Sequence, residues 1–319
     1  MGVITPSLGT WCSSAADTTA CDTKARPDYP EVGDREGGRL GCSIQEVVVG
    51  SWPGFVPVPG GSLYTEIDGS GPAIVLVHAG VANLRMWDPH VPALAEHYTV
   101  IRYDTRGFGR TESEHVEFSN RADLIAVLDH ARAERAILVG VSRGGSIVLD
   151  TALEYPGRTA GLALVAGGVS GFEATASLVD PATWEEAEAH WKAKEWGWLA
   201  DFETALWADG PGQSPDRVAP AVREAVHGWI LSNYRAEKEE GIPQTLDPPA
   251  AGRLGDLDLP VLVAIGLRDE AGVIEACRHL AASVPGARVE EFDAAHMLNL
   301  EHPEHFTRLL LDFAADVYG

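Results

Sequence analysis

A chain of 319 residues with 45% hydrophobic content can bury one large domain carrying an insertion, or two domains, and it holds no run of about 18 apolar residues to span a membrane. The formal net charge of −23 sets up a field that repels nucleic acid and anionic lipid, so neither is expected as a partner. Only four cysteines are present, with no C-x-x-C pair and no metal-ligand spacing; a Cys12–Cys21 disulfide is one pairing the spacing allows.

Residues 1–50 are rich in Ser, Thr, Gly, Pro and Asp and lack periodicity, so they read as an irregular N-terminal extension. The first residues lack a basic start followed by an apolar stretch. Pro6 also stands where a myristoylation signal needs Ser or Thr. The cytoplasm is the expected location.

From Phe55 the pattern becomes regular. Phe55–Val58 and Ser62–Ile67 flank Gly60-Gly61, a hairpin signal. Ala73–Val77 and Thr99–Tyr103 read as buried strands. A helix is predicted over 119–131, with Ser119 as its cap and Leu124, Val127 and Leu128 on its apolar face. Ala136–Val139 reads as another buried strand, followed by Gly140-Val141-Ser142-Arg143-Gly144-Gly145 and a helix from Ser146 to Tyr155. Gly161–Val165, Leu259–Ile265 and Arg288–Phe292 are further strands, and helices are expected at 273–283 and 303–317. Alternating strands and helices predict an α/β fold with a doubly wound, mostly parallel sheet.

Residues 172–252 break that alternation. They carry helical runs, Pro181–Leu206 and Val218–Glu240, and the tryptophans Trp184, Trp191, Trp196, Trp198, Trp207 and Trp229. This segment reads as a helical cap inserted into a core made of 51–171 and 253–319. Most of its tryptophans are expected to hold the cap together; one or two facing Ser142 would form an apolar binding wall.

Gly-x-Ser-x-Gly between a strand and a helix is a nucleophile elbow, where small neighbours tolerate a sharp turn at Ser142. A serine hydroxyl needs a base, and the base needs an orienting carboxylate. Asp269 directly follows the strand ending near Ile265, and His296 lies between the last strand and the last helix. Asp269 could instead cap the following helix, with Glu270 as the substitute acid. Asp293 is too near His296 in sequence to approach it from the opposite strand.

The order Ser…Asp…His, together with Val77-His78-Ala79-Gly80, Tyr103-Asp104-Thr105-Arg106-Gly107-Phe108-Gly109-Arg110, the elbow and Ala295-His296 followed by Glu301-His302-Pro303-Glu304, resembles the α/β-hydrolase superfamily. The likeness runs from about residue 55 to the C-terminus, and its combination of motifs recurs in the cap-bearing esterase, lactonase and peptidase branch. The resemblance implies a Ser142–His296–Asp269 triad and an oxyanion hole from the amides of Gly80 (or Val81) and Arg143. It implies no cofactor and no metal. His78 is expected to be structural, the Arg143 side chain to be structural and paired to a carboxylate, and Arg106, Gly107 and Gly109 to shape a loop. Related dehalogenases and epoxide hydrolases place Asp at the elbow, so Ser142 argues against both.

The expected activity is hydrolysis of a small apolar carboxylic ester or lactone by a monomer or homodimer. An aminopeptidase-like enzyme, a carbon–carbon bond hydrolase and a nearly inert small-molecule receptor are the alternatives that share this constellation.

Overall fold

Among the described residues nine strands build the main sheet, eight of them in one continuous order. The structure, a computed structural model, describes residues 52–319; the N-terminal extension and Cys12, Cys21 and Cys42 lie outside the described residues. The strands are β1 (Trp52–Val58), β2 (Gly61–Asp68), β3 (Ala73–Val77), β4 (Thr99–Tyr103), β5 (Ala136–Val141), β6 (Thr159–Val165), β7 (Val261–Gly266) and β8 (Arg288–Phe292). They lie in the order β1-β2-β4-β3-β5-β6-β7-β8, with the two-residue strand Glu112–Ser113 against β2. The pairs β1–β2 and β2–β4 are antiparallel, and every pair from β4 to β8 is parallel. β3, β5, β6 and β7 are buried along their whole length, as strands covered on both faces must be. The expected doubly wound α/β sheet of an α/β-hydrolase fold is therefore present.

The longer helices are α1 (Asn120–His130), α2 (Arg143–Glu154), α3 (Pro181–Lys192), α4 (Trp196–Thr204), α5 (Pro220–Ala236), α6 (Ala271–Ser283) and α7 (Pro303–Tyr318). On one face of the sheet, Val75, Val77, Leu138, Leu162, Leu164 and Val263 pack with Leu124 and Leu128 of α1, Ile147 of α2 and Leu280 of α6. α7 covers the other face, where Phe313 and Val317 come so close to Gly161 that a side chain there would touch both. Successive side chains along each strand point to opposite faces and thus feed two separate core layers.

Several boundaries differ from the sequence reading, each for a local reason. The hairpin loop is Pro59-Gly60, with Gly60 at φ 65°, and Gly61 already belongs to β2. α2 begins at Arg143 rather than Ser146, because the chain turns into the helix directly at Ser142. The long run 181–206 is two helices, broken where Lys194 takes φ 56°. Ser119 caps α1 as expected, accepting a hydrogen bond from the Ala122 amide. The helices α3, α4 and α5 all fall between β6 and β7. Among the described residues, no helix is long and apolar enough to cross a membrane.

One buried cation ties the antiparallel end of the sheet to α1. Arg106, only 1% exposed, donates from Nε and Nη2 to both carboxylate oxygens of Asp123 at 2.7 and 3.0 Å. Its remaining protons reach the carbonyls of Gly60 (2.9 Å) and Pro59 (2.8 Å), and the guanidinium lies over Phe118. Burial pushes the Asp123 carboxyl pKa upward, while Arg106 opposes that shift by hydrogen bond and charge. Removing the guanidinium would strand a buried carboxylate, which costs about 3–5 kcal/mol. Arg106→Ala is expected to lose that much stability in urea unfolding at unchanged m-value, and Arg106→Lys, which cannot make the paired contact, is expected to fall between it and the native chain.

Candidate active site

β3 and β5 run side by side with Val77 opposite Gly140, so the loop after β3 and the turn after β5 leave the sheet together. At that turn Ser142 has φ 55° and ψ −117°, a backbone that costs a non-glycine residue about 1–3 kcal/mol. Its amide donates to the Val165 carbonyl at 2.9 Å, and its carbonyl accepts from the Ser146 amide at 3.1 Å. The flanking glycines are required by contact. A Cβ on Gly140 would stand 2.2 Å from the Gly144 carbonyl oxygen, and one on Gly144 would stand 2.3 Å from the Val77 carbonyl oxygen. Ser142 is half-buried and holds its place directly before the N-terminus of α2, where unpaired amides and the helix dipole favour negative charge.

Gly80 lies against Arg143, since a Cβ on Gly80 would sit 3.5 Å from Arg143 Cδ. The two residues expected to supply oxyanion amides are therefore neighbours. The Arg143 side chain points away into a structural role, as anticipated. It donates to Thr105 Oγ1 at 2.7 Å, pairs with Glu240 and lies over Phe108.

Asp269 follows β7 and His296 follows β8, so both stand at the C-terminal edge of the sheet with Ser142. His296 Nδ1 donates to Asp269 Oδ2 at 2.7 Å, and the two side chains are 4% and 1% exposed. Asp269 Oδ1 accepts from the Glu270 amide at 2.7 Å. The helix-cap role falls to Glu270: its Oε2 accepts from Gly272 and its Oε1 from Leu178, both at 2.7 Å. Asp293 is exposed and held by Arg268, whose pairing lowers its pKa, so it does not serve the imidazole.

His78, expected to be structural, is held by hydrogen bonds at both ring nitrogens. His78 Nδ1 donates to the Ala79 carbonyl at 2.8 Å, and its Nε2 accepts from the Thr105 amide at 3.0 Å. Asp104 accepts from the amides of Leu84 and Arg110, both at 2.8 Å, which fixes the two loops around His78. Among the described residues no cluster of His, Cys, Asp or Glu could hold a metal ion. Cys277 is buried and donates weakly to the Gly167 carbonyl; burial raises its pKa to about 12, so it is no nucleophile.

The sequence did not single out one contact. Trp207, in the π-helical turn Ala205–Asp209, packs on His296 with ring centroids 4.5 Å apart. Within residues 172–252 the other tryptophans with ring contacts pack among the inserted helices: Trp191 and Trp196 with Tyr234, and Trp184 and Trp198 with Phe202. A tryptophan count could flag the segment, but which indole faces the imidazole depends on the turn at 205–209.

A family model described as the α/β hydrolase fold matches residues 72–202. The 3-oxoadipate enol-lactonase 1 of Acinetobacter baylyi is 25% identical over 281 residues, covering 81% of this chain and 95% of that protein. The 2-hydroxy-6-oxo-6-phenylhexa-2,4-dienoate hydrolase of Burkholderia cepacia is 29% identical over 268 residues, covering 78% and 89%. The crystal structure of the enol-lactonase from Burkholderia xenovorans superposes with a TM-score of 0.66 at 26% identity, covering 82% of this chain and all of that one. With the fold and sheet edge described above, these likenesses show the α/β-hydrolase fold.

Burial pushes the His78 pKa down from 6.5 to about 3, with the nearby Arg143 charge acting the same way. The unfolded chain therefore binds a proton that the folded chain refuses between about pH 6.5 and pH 3. Stability from this group is complete above pH 6.5 and is lost as the pH falls through that window, by roughly 1.4 kcal/mol per pH unit. His90, buried and lowered to about 4, acts in the same direction. Urea unfolding from pH 7 to pH 4 is expected to show a slope shallower by up to one proton in His78→Asn than in the native chain; equal slopes would contradict the neutral, buried imidazole.

Proposed function

We propose that this chain is a serine hydrolase that cleaves a carboxylic ester or lactone through an acyl-enzyme on Ser142. The observation that carries the reading is the buried His296–Asp269 hydrogen bond of 2.7 Å at the same sheet edge as the left-handed turn at Ser142. A buried carboxylate on Nδ1 fixes the tautomer that leaves Nε2 free to accept a proton. His296 takes the Ser142 proton as Oγ attacks the carbonyl carbon. The amides of Gly80 and Arg143, aided by the N-terminus of α2, hold the oxyanion, and such a pair contributes a few kcal/mol. His296 then protonates the leaving oxygen and later activates the water that cleaves the acyl-enzyme. No cofactor or metal takes part.

In this reading residues 172–252 act as a cap over the core, the substrate is a small apolar ester or lactone, and the protein works as a monomer or homodimer in the cytoplasm. A second reading, carbon–carbon bond hydrolysis by the same three residues, is favoured by the 29% identity to the dienoate hydrolase of Burkholderia cepacia.

Ser142→Ala is expected to lower p-nitrophenyl acetate and butyrate turnover at least about a thousandfold in a protein that remains folded, and a fluorophosphonate is expected to add to Ser142 by intact mass. Near-normal turnover in Ser142→Ala would sink the assignment. A panel of short esters, lactones and 2-hydroxy-6-oxo-dienoates then separates the two readings by relative kcat/KM.

A further inference from the structure

We infer that Trp207 is the wall of the leaving-group side of the site and selects substrates whose departing oxygen carries a planar apolar group, such as an aryl or enol ester; this rests on the serine-hydrolase reading above. The argument starts from the proton. As the Ser142 Oγ–carbon bond forms, the hydroxyl proton moves to His296 Nε2 and the carbonyl electron pair moves to its oxygen. When that pair returns, the carbon–oxygen bond to the leaving group breaks, and the Nε2 proton passes to the departing oxygen. Nδ1 is occupied by Asp269, so the leaving group must come within hydrogen-bond reach of Nε2. A side chain packed on the imidazole therefore borders the leaving group rather than the acyl chain. Trp207 is packed there, its ring centroid 4.5 Å from that of His296 and tilted by 45°.

The wall is held in register with the base. The carbonyls of Ala208 and Asp209, in the same turn as Trp207, accept from Arg217 Nη2 at 3.0 Å and Nε at 2.8 Å. Arg217 forms a two-pronged pair with Glu301. Glu301 Oε1 in turn accepts from the amide of Ala295, the residue before His296, at 2.7 Å. Arg223 grips the buried Asp209 carboxylate at 2.9 and 3.0 Å. Thus the turn bearing Trp207 and the loop bearing His296 hang on one carboxylate. A surface fixed before binding loses little freedom when a flat group stacks on it, so the indole contributes recognition rather than ordering cost.

The test compares kcat/KM of the native full chain, Trp207→Ala and Trp207→Phe for phenyl acetate, ethyl acetate and phenyl butyrate. Taking ratios between variants cancels the intrinsic reactivity of each ester. Trp207→Ala is expected to lower the phenyl acetate to ethyl acetate ratio about five- to tenfold, and Trp207→Phe to restore most of it. The phenyl butyrate to phenyl acetate ratio is expected to stay within about twofold of the native value, because the acyl chain lies elsewhere. An unchanged phenyl-to-ethyl ratio in a Trp207→Ala protein that still takes a fluorophosphonate on Ser142 overturns the wall, and so does a shift confined to the acyl ratio. If Trp207→Ala does not fold, Trp207→Phe decides: a smaller shift of the same sign supports the wall, and no shift overturns it. Native turnover that survives Ser142→Ala would instead remove the serine-hydrolase reading, and the wall with it.

Discussion

The Val77 carbonyl lies where any side chain on residue 144 would have to stand. That contact follows from the β3–β5 register, and it leaves the chain after β5 little freedom: it must turn sharply at Ser142 and start a helix with glycine against the neighbouring strand. The strain at Ser142, about 1–3 kcal/mol, persists because the Val165 carbonyl and the Ser146 amide pin the turn from both sides. The same closeness sets the N-terminus of α2 beside the Gly80 loop. The position of Ser142, the adjacent Arg143 amide and the dipole end of a helix are one packing decision rather than three.

Around that turn the protein spends buried polar groups on loop shape. His78 is held neutral and spans two loops, with one nitrogen on its own strand's exit and the other on the Thr105 amide. Arg106 and Asp123 are both buried, and each satisfies the other along with two turn carbonyls. Leaving either partner unpaired would cost more than the pair yields in net stability, so these contacts define loop geometry more than they add stability. The loops they define run beside Gly80 and Arg143.

The central strands were readable because Ala73–Val77 and Ala136–Val139 are unbroken apolar runs, which is what burial on both faces requires, and Thr99–Tyr103 is rich in β-branched and aromatic residues. Ser142, Asp269 and His296 were readable for a related reason: each follows a strand of the parallel part of the sheet, and strand ends are where such a sheet presents reactive groups. The start of α2 was misread because Gly144 and Gly145 are poor helix formers, and a backbone contact from another strand outweighs their propensity. The break at Lys194 carries no glycine or proline to announce it. Asp269 and Glu270 could not be assigned separate roles from adjacency alone; the Glu270 carboxylate reaches back to Gly272 and across to Leu178, and Asp269 is left for His296. Trp207 could not be separated from five other tryptophans, because its position depends on Arg217 and Glu301, distant in sequence.

His296 thus meets two neighbours of different origin, Asp269 from the sheet and Trp207 from the inserted helices. Their influence on an imidazolium is unequal. A carboxylate at hydrogen-bond distance in a partly screened interior is worth about 4 kcal/mol of attraction, whereas an aromatic face near a cation contributes about 0.5–2 kcal/mol. In the proposed mechanism the indole adds a smaller electrostatic share, and its larger effect is steric and apolar, on what stands next to the proton when it is handed on. That wall belongs to the segment between β6 and β7, apart from the β3–β5 register, and it is tied to the His296 loop through Arg217 and Glu301. In the proposed reading, proton chemistry and leaving-group recognition are carried by separate parts of the chain that meet at one imidazole.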